Sequence, residues 1–341
     1  MSNPPKVSLQ GIAERAGVHR ATVSLALRNH PRIPAATCRR IQALAREMGY
    51  APNAAVVELM TRVRRHEAAA APTATLGWLN AYASERAWRT TPYMRGYLAG
   101  ARARAAERGY GLDELWLKAD GMTARRMDGV LRARGIRGVL VPSPPERYGR
   151  IGLDWSQYAA VAIDHALFKP ELDRVVVDYL GNAELALRKL WRGGCRRIGL
   201  WLGRYQDIVT RHLMTSGYLG WQARLPAKAA RLAPMLVDLT HEASSRLFAA
   251  WVREQRPDGV VCIDGVVARY AQEAGLRVPG DLVLAHLNLH EGCGVQTGVV
   301  QRHEELGAVA VDLLIGNLLQ GRFGEPAIRR ETAIAGLWRE G

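Results

Sequence analysis

A chain of 341 residues is too long for one compact domain, and long enough for a small domain beside a larger bipartite domain. With 48% hydrophobic and 23% charged residues it fits a soluble globular protein, and no apolar stretch approaches the width of a bilayer, which excludes a disordered or membrane-spanning chain. A net charge of +15 points to a polyanionic partner.

The charge is concentrated. Residues 1–65 hold eleven basic side chains against Glu14, Glu47 and Glu58, so over half of the excess sits in a fifth of the chain. The amino terminus, MSNPPKVSLQGIAERAG, lacks the apolar run and small-residue cleavage site of a secretory signal, and a cytoplasmic location is expected. Cys38, Cys195, Cys262 and Cys293 are scattered, with no CxxC pair and no histidine at zinc-finger spacing. Reduced thiols are expected, and no disulfide framework, metal or cofactor.

Ser8 begins a helical pattern with Leu9, Ile12 and Ala13 on one face, and Ala16-Gly17-Val18 supplies a tight turn after it. His19 to Leu27 makes a second short helix, with Val23, Ala26 and Leu27 facing inward and Arg20, Ala21, Ser24 and Arg28 outward. Two short helices joined by a glycine-containing turn, the second with a basic outer face, satisfy the requirements of a helix-turn-helix. A third helix runs from Pro34, whose fixed φ suits a first helical turn, to Met48, where Gly49 stops it. After Tyr50, a short Ala/Val-rich helical run starting at Asn53 is too short to be stable alone, and HEAAAAP at 66–72 marks a boundary.

The stretch from Val7 to Leu59 resembles, without a gap, the DNA-binding head of the lactose-repressor (LacI) family of transcription regulators. It carries the AGV turn, ATVS, Thr37 in the third helix and GYAPN before the hinge. The resemblance implies phosphate contacts from Ser8, with Leu9 beside it, and from Thr37, and backbone anchoring by Thr22 and Ser24, which position without specifying sequence. It places the base-reading slots on His19, Arg20 and Ala21, where Arg20 suits a bidentate pair with guanine. A later slot holds Leu25, which either meets a thymine methyl or packs. In the family the hinge helix folds when two copies pair in the minor groove with a leucine wedged between base steps; Asn53, Val56 and Leu59 fall on the matching positions. The alternative is an ordinary interdomain linker.

From Thr75 the chain alternates short apolar strands with helices. Strands are predicted at 75–80, 112–117, 138–142, 159–163, 197–202, 234–238, 259–263 and 282–287, and helices at 92–109, 122–134, 181–192, 243–255, 266–274 and 304–319. Such alternation means parallel sheets with helices on both faces, and the length requires two sheets with a ligand cleft between them. The fold expected is therefore a small all-α helix-turn-helix domain at 1–51, a hinge at 52–72 and a large two-lobed α/β domain at 73–341. Its lobes are expected at about 73–162 plus 290–320, and 163–289 plus 321–341. This region resembles the periplasmic-binding-protein-like sensor of the same family, in GGCRRIGLWLG (193–203), RPDGVVCID (256–264), GLRVPGDLVLAHL (275–287) and HEELGAVAVDLL (303–314).

Neither a phosphate loop, a nucleophile elbow nor a paired-histidine motif is present, so no enzyme is expected. The resemblance brings Tyr93, Met94, Asp178 and Asp264 to the edge of the cleft, where carboxylates suit a polyhydroxylated ligand. Helix capping is the alternative for both carboxylates, above all for Asp264 just before a helix. The chain departs from the family at two places: Met214 stands where relatives carry an arginine three residues before the Gly217-Tyr218 pair, and Leu239 lies near a usual aromatic platform. Arg211 or His212 is the candidate replacement clamp, and Trp201 or Trp88 the replacement platform. The partners implied are double-stranded operator DNA, a small sugar-like effector and a second copy of the chain, with no membrane. A solute-binding protein and an architectural DNA binder without a ligand are the competing readings.

Overall fold

The computed structural model describes residues 9–27, 33–48, 74–145, 149–238, 241–290 and 292–341. Ser8, Arg28, the hinge positions Asn53, Val56 and Leu59, and Leu239 lie outside the described residues. The chain divides into two units, Met1–Ala70 and Ala71–Gly341.

In the first unit, helices α1 (Leu9–Ala16), α2 (Arg20–Leu27) and α3 (Ala35–Glu47) enclose a core of Ile12, Ala13, Val23, Ala26, Cys38, Ile41 and Ala45. The turn after α1 works because Gly17 takes φ +67°, a left-handed value that a side chain would oppose. Two side chains of α3 satisfy carbonyls at the ends of the other helices: Arg40 donates to the Ala16 carbonyl at 3.3 Å and Gln42 to that of Ala26 at 3.1 Å.

The second unit contains two six-stranded sheets. In chain order its elements are β1 (Ala74–Asn80), α4 (Pro92–Glu107), β2 (Tyr110–Trp116), α5 (Ala124–Ala133), β3 (Gly138–Val141), β4 (Gly149–Arg150), β5 (Ala159–Ile163), β6 (Leu167–Lys169) and β7 (Asp173–Val177). Then follow α6 (Tyr179–Arg192), β8 (Ile198–Gly203), α7 (Arg204–Val209), α8 (Leu213–Ala223), β9 (Met235–Val237), α9 (His241–Gln255), β10 (Gly259–Cys262) and α10 (Val267–Glu273). The chain closes with β11 (Val283–His286), β12 (Gly298–Val300), α11 (His303–Leu319), β13 (Glu331–Ile334) and β14 (Leu337–Arg339). The first sheet, ordered β13-β7-β5-β3-β1-β2, is parallel throughout. The second, β14-β12-β11-β10-β8-β9, is parallel except for β14 at its edge. β4 and β6 form a separate small pair.

The chain crosses between lobes three times, at 177–179, 300–303 and 334–337, so the expected lobe boundaries need correction. β7 stays in the first lobe beside β5, with Val161 paired to Asp173, and β13 joins it there, while β12 and β14 belong to the second sheet. The reason is burial: all five residues of β7 are enclosed, and a strand with no solvent face needs neighbours and covering helices on both sides. Helix α11 then returns from the second sheet to pack on β3, β5, β7 and α4. Its approach to α4 depends on glycine, because a Cβ on Gly100 would lie 1.8 Å from the Glu304 carbonyl oxygen and one on Gly307 2.0 Å from that of Tyr97. Ion pairs from Arg104 and Arg108 to Asp312, at 2.7 and 2.8 Å, flank the contact.

Candidate functional site

In the head, α2 presents His19 and Arg20 to solvent at its amino-terminal end, while Val23 and Ala26 are fully buried beneath them. Ala21 and Ser24 lie within the same helix, and Leu9 opens α1. Thr22 and Leu25 are half-buried, so some of the Leu25 side chain packs and some meets solvent. Thr37, in the first turn of α3, is also half-buried, with Arg39 and Arg40 exposed on the same helix. An exposed basic helix start over an apolar core is the arrangement that lets side chains reach base edges while the core fixes the helix.

Two cavities stand out among the described residues of the large unit. The first, of about 440 Å³, lies at the carboxyl ends of β8, β9 and β10 and is walled by Trp201, Tyr205, Gln206, Asp238, Ser244, Asp264, Arg269 and Tyr270. The second, of about 400 Å³, lies between the lobes, with His165, Phe168 and Arg329 on the first-lobe side and Ile208, Val209, Arg211 and His212 on the other.

The expected effector residues are not gathered at one place. Asp264 is in the first cavity, where its Oδ1 also accepts the backbone N–H of Val266 at 3.1 Å, so it closes the turn before α10 without capping the helix. Asp178 sits at a lobe crossover and caps α6 by accepting from the Gly181 N–H at 2.9 Å, so the structure uses its carboxylate locally. Met94 is fully buried in the first-lobe core, because it falls on the inward face of α4. Tyr93 is half-buried, 5.7 Å from the Tyr97 ring and 6.2 Å from His303. Trp201 touches the first cavity but is only 2% exposed, stacked edge-on to Phe248 at 5.0 Å, since a central strand has both faces covered. Trp88, 1% exposed, is likewise core. Neither ring is an open platform.

Met214, in place of the family's arginine, is fully buried in the core, as an apolar side chain on the inner face of α8 must be. Arg211 and His212 do reach a cavity, the one between the lobes. Both adopt left-handed backbone, φ 56° and 59°. The turn is braced by Asp207, 2% exposed, which accepts from Thr215 Oγ1 at 2.6 Å and lies 2.6 Å from His212 Nδ1.

Sequence reasoning missed a polar cluster directly after β5. Asp164 is buried with φ 69° and accepts hydrogen bonds from Tyr179 at 2.7 Å, the His165 N–H at 2.8 Å and Tyr97 at 3.3 Å. Burial raises its pKa against these three donors. Beside it His165 is pushed down to about 3, by burial first and then by Arg174, Arg211 and Arg329, and neither of its ring nitrogens has a hydrogen-bond partner. The signal in the sequence was Asp-His immediately following an apolar strand. Among the described residues no group of three or more His, Cys, Asp or Glu side chains is placed to hold a metal ion, and no helix is long and apolar enough to cross a membrane. All four cysteines are buried and unpaired.

A helix-turn-helix head followed by a two-lobed α/β unit with three lobe crossovers defines a class of bacterial regulator. Residues 8–53 match the family model described as "Bacterial regulatory proteins, lacI family", and residues 187–335 that of the "Periplasmic binding protein-like domain". The head is thus similar to that of the lacI family, and the large unit to periplasmic-binding-protein-like domains. It is 25% identical over 328 residues to the transcriptional repressor CytR of Escherichia coli, covering 91% of this chain and 89% of CytR. With the transcriptional regulator CelR of Thermobifida fusca it shares 26% over 226 residues, 64% of this chain and 62% of CelR, so that match spans less than two thirds of the relative. The fold is that of the solved CelR–cellobiose complex, with a TM-score of 0.59, 21% identity and 98% and 99% of the two chains covered. It also matches a lac repressor dimer bound to operator and the anti-inducer ONPF, with a TM-score of 0.57, 19% identity and 98% of each chain covered.

Proposed function

We propose that the chain is a cytoplasmic transcription regulator, a repressor that binds double-stranded operator DNA as a homodimer and whose operator affinity is set by a small polar ligand. The observation that carries this reading is the union in one chain of α2, with His19 and Arg20 exposed at its start, and a second unit whose two lobes enclose a cavity between them. A ligand touching both lobes stabilises one lobe arrangement over another, and only such differential binding can shift an equilibrium. The relatives support the reading: the CelR structure contains cellobiose, and the lac repressor structure is a dimer on its operator. The base-reading roles of His19, Arg20 and Ala21 and the wedge role of Leu59 belong to this proposal, as does the absence of catalysis.

One observation favours a second reading, in which the large unit serves only as architecture. Met214 is core, and Asp178 and Asp164 spend their carboxylates on protein donors, so little of the family's usual polar equipment is available to a sugar. A thermal-shift screen of the purified chain against sugars and sugar acids separates the two, since a ligand bound only by the native state raises its melting temperature. A ligand that shifts the melting temperature and also changes DNA affinity supports the regulator. A screen with no shift supports the architectural reading.

A further inference from the structure

We propose that the interlobe cavity takes an anion, a small molecule whose carboxylate or phosphate group is clamped between Arg211 of the second lobe and Arg329 of the first. This deepens the ligand-responsive reading above and rests on it.

Charge points to it first. Arg211 and Arg329 both line the 400 Å³ cavity, and neither guanidinium has a hydrogen bond or ion pair with another described residue. Several other guanidiniums of the unit do have acid partners: Arg134 with Asp113, Arg104 and Arg108 with Asp312, Arg330 with Asp173. Two unmatched cations facing one cavity raise each other's energy, and the fully buried Arg174 adds a third positive charge nearby. The opposing acids are few. Glu171 lies at the cavity, pairs with Lys169 at 3.2 Å and shares its remaining charge with Arg329 and Arg174, while Glu331 stands 3.9 Å from His165 Nδ1 and 4.0 Å from Arg174 Nε. An arriving oxyanion supplies the charge that this wall lacks, in the bidentate geometry that guanidiniums favour.

Hydrogen bonding points the same way. His165 belongs to the cavity wall, is 5% exposed, and has two ring nitrogens without a hydrogen-bond partner. Buried polar atoms are normally satisfied, so such an imidazole marks where a ligand oxygen belongs. Held neutral, it keeps one N–H to donate.

Delivery of Arg211 is built in. The left-handed pair Arg211-His212 is a conformation that non-glycine residues rarely adopt and that gathers at ligand sites. Asp207 anchors that turn from below through His212 and Thr215. Phe168, 42% exposed on the same wall, offers an apolar face for the ligand's carbon skeleton.

The test is calorimetry and thermal shift on the full chain with inorganic phosphate, gluconate and, as the neutral counterpart, glucose. Gluconate or phosphate is expected to raise the melting temperature while glucose does not, which also separates a carboxylate from a phosphate ligand. Arg211→Gln and Arg329→Gln are each expected to weaken the active anion by about tenfold or more, with Arg211→Lys recovering some of the loss. The unliganded melting temperature of each variant reports whether it is folded. Glucose acting as strongly as gluconate, or folded variants that bind the anion like wild type, overturns the anion assignment and leaves the sensor reading standing. If neither the two anions nor any neutral sugar binds, both fall.

Discussion

Tyr205, on α7 of the second lobe, donates its hydroxyl to the backbone carbonyl of Pro145 in the first lobe at 2.8 Å. The same side chain walls the cavity at the ends of β8, β9 and β10, so one residue links that cavity to closure of the cleft. A neutral hydrogen bond contributes about 0.5–1.5 kcal/mol net, enough to change the ratio of closed to open lobes several-fold without unfolding either. In Tyr205→Phe, amide exchange at Ser143 and over 204–209 is expected to quicken by about two- to tenfold, with β5 unchanged. Unaltered exchange in both segments would show that the contact does not hold the lobes together.

The packing of α11 on α4 gives a sharper stability prediction. Gly307→Ala places a methyl 2.0 Å from the Tyr97 carbonyl oxygen and 2.8 Å from the Ala101 nitrogen, backbone atoms that cannot move aside as a side chain tip would. Overpacking of this kind costs about 1–3 kcal/mol or more, and it should lower the urea midpoint of the large unit. An unfolding free energy within about 0.5 kcal/mol of wild type contradicts the close approach.

Acid should weaken the large unit through its buried histidines. Burial, the foremost cause in each, pushes His286 and His303 down to about 4 and His165 to about 3. Below about pH 6.5 the unfolded chain takes up protons that the folded chain refuses, so the stability these groups contribute is full above that pH and is lost as the pH falls toward 4 and 3. At about pH 5 the loss is on the order of 2 kcal/mol per histidine. Asp164, with its raised pKa, acts in the opposite sense and offsets some of it. Urea titrations at about pH 7 and about pH 5 should show a fall in the midpoint that His286→Gln reduces. Equal midpoints at the two pH values would contradict the burial of these rings as neutral groups.

The predicted strands and helices that were found are helical periods or apolar runs long enough to read, the latter including the fully buried β3, β5 and β10. In the head, Ile12, Ala13, Val23, Ala26 and Ile41 keep helical spacing, and all are core. The omissions have physical causes. β7, Asp-Arg-Val-Val-Val, opens on two charged residues that are buried in the fold, which leaves an apolar run of only three to read. β12 and β14 have three residues each and gain their order from each other across a crossover. Helix α8 was hidden by Gly217 and Gly220, and Gly217 is there for tertiary reasons, since a Cβ would meet the Leu180 carbonyl at 2.8 Å. The effector residues were the least legible. Composition cannot show that Met94 and Trp201 turn inward, or that the carboxylate of Asp178 caps its own helix. Arg329 was beyond reach because its cavity is assembled from segments over a hundred residues apart.

Sequence reading by α2 is tested most directly by selection of DNA by the full chain from a randomised duplex library, followed by affinity on the selected and a scrambled duplex at one fixed salt concentration. A two-fold symmetric site should be enriched, since a homodimer presents two reading helices. On that site Arg20→Ala should lose about 1–3 kcal/mol of affinity, with the scrambled duplex nearly unaffected, because a base contact discriminates and a phosphate contact does not. Failure to enrich any sequence, or equal losses on both duplexes, would contradict the account.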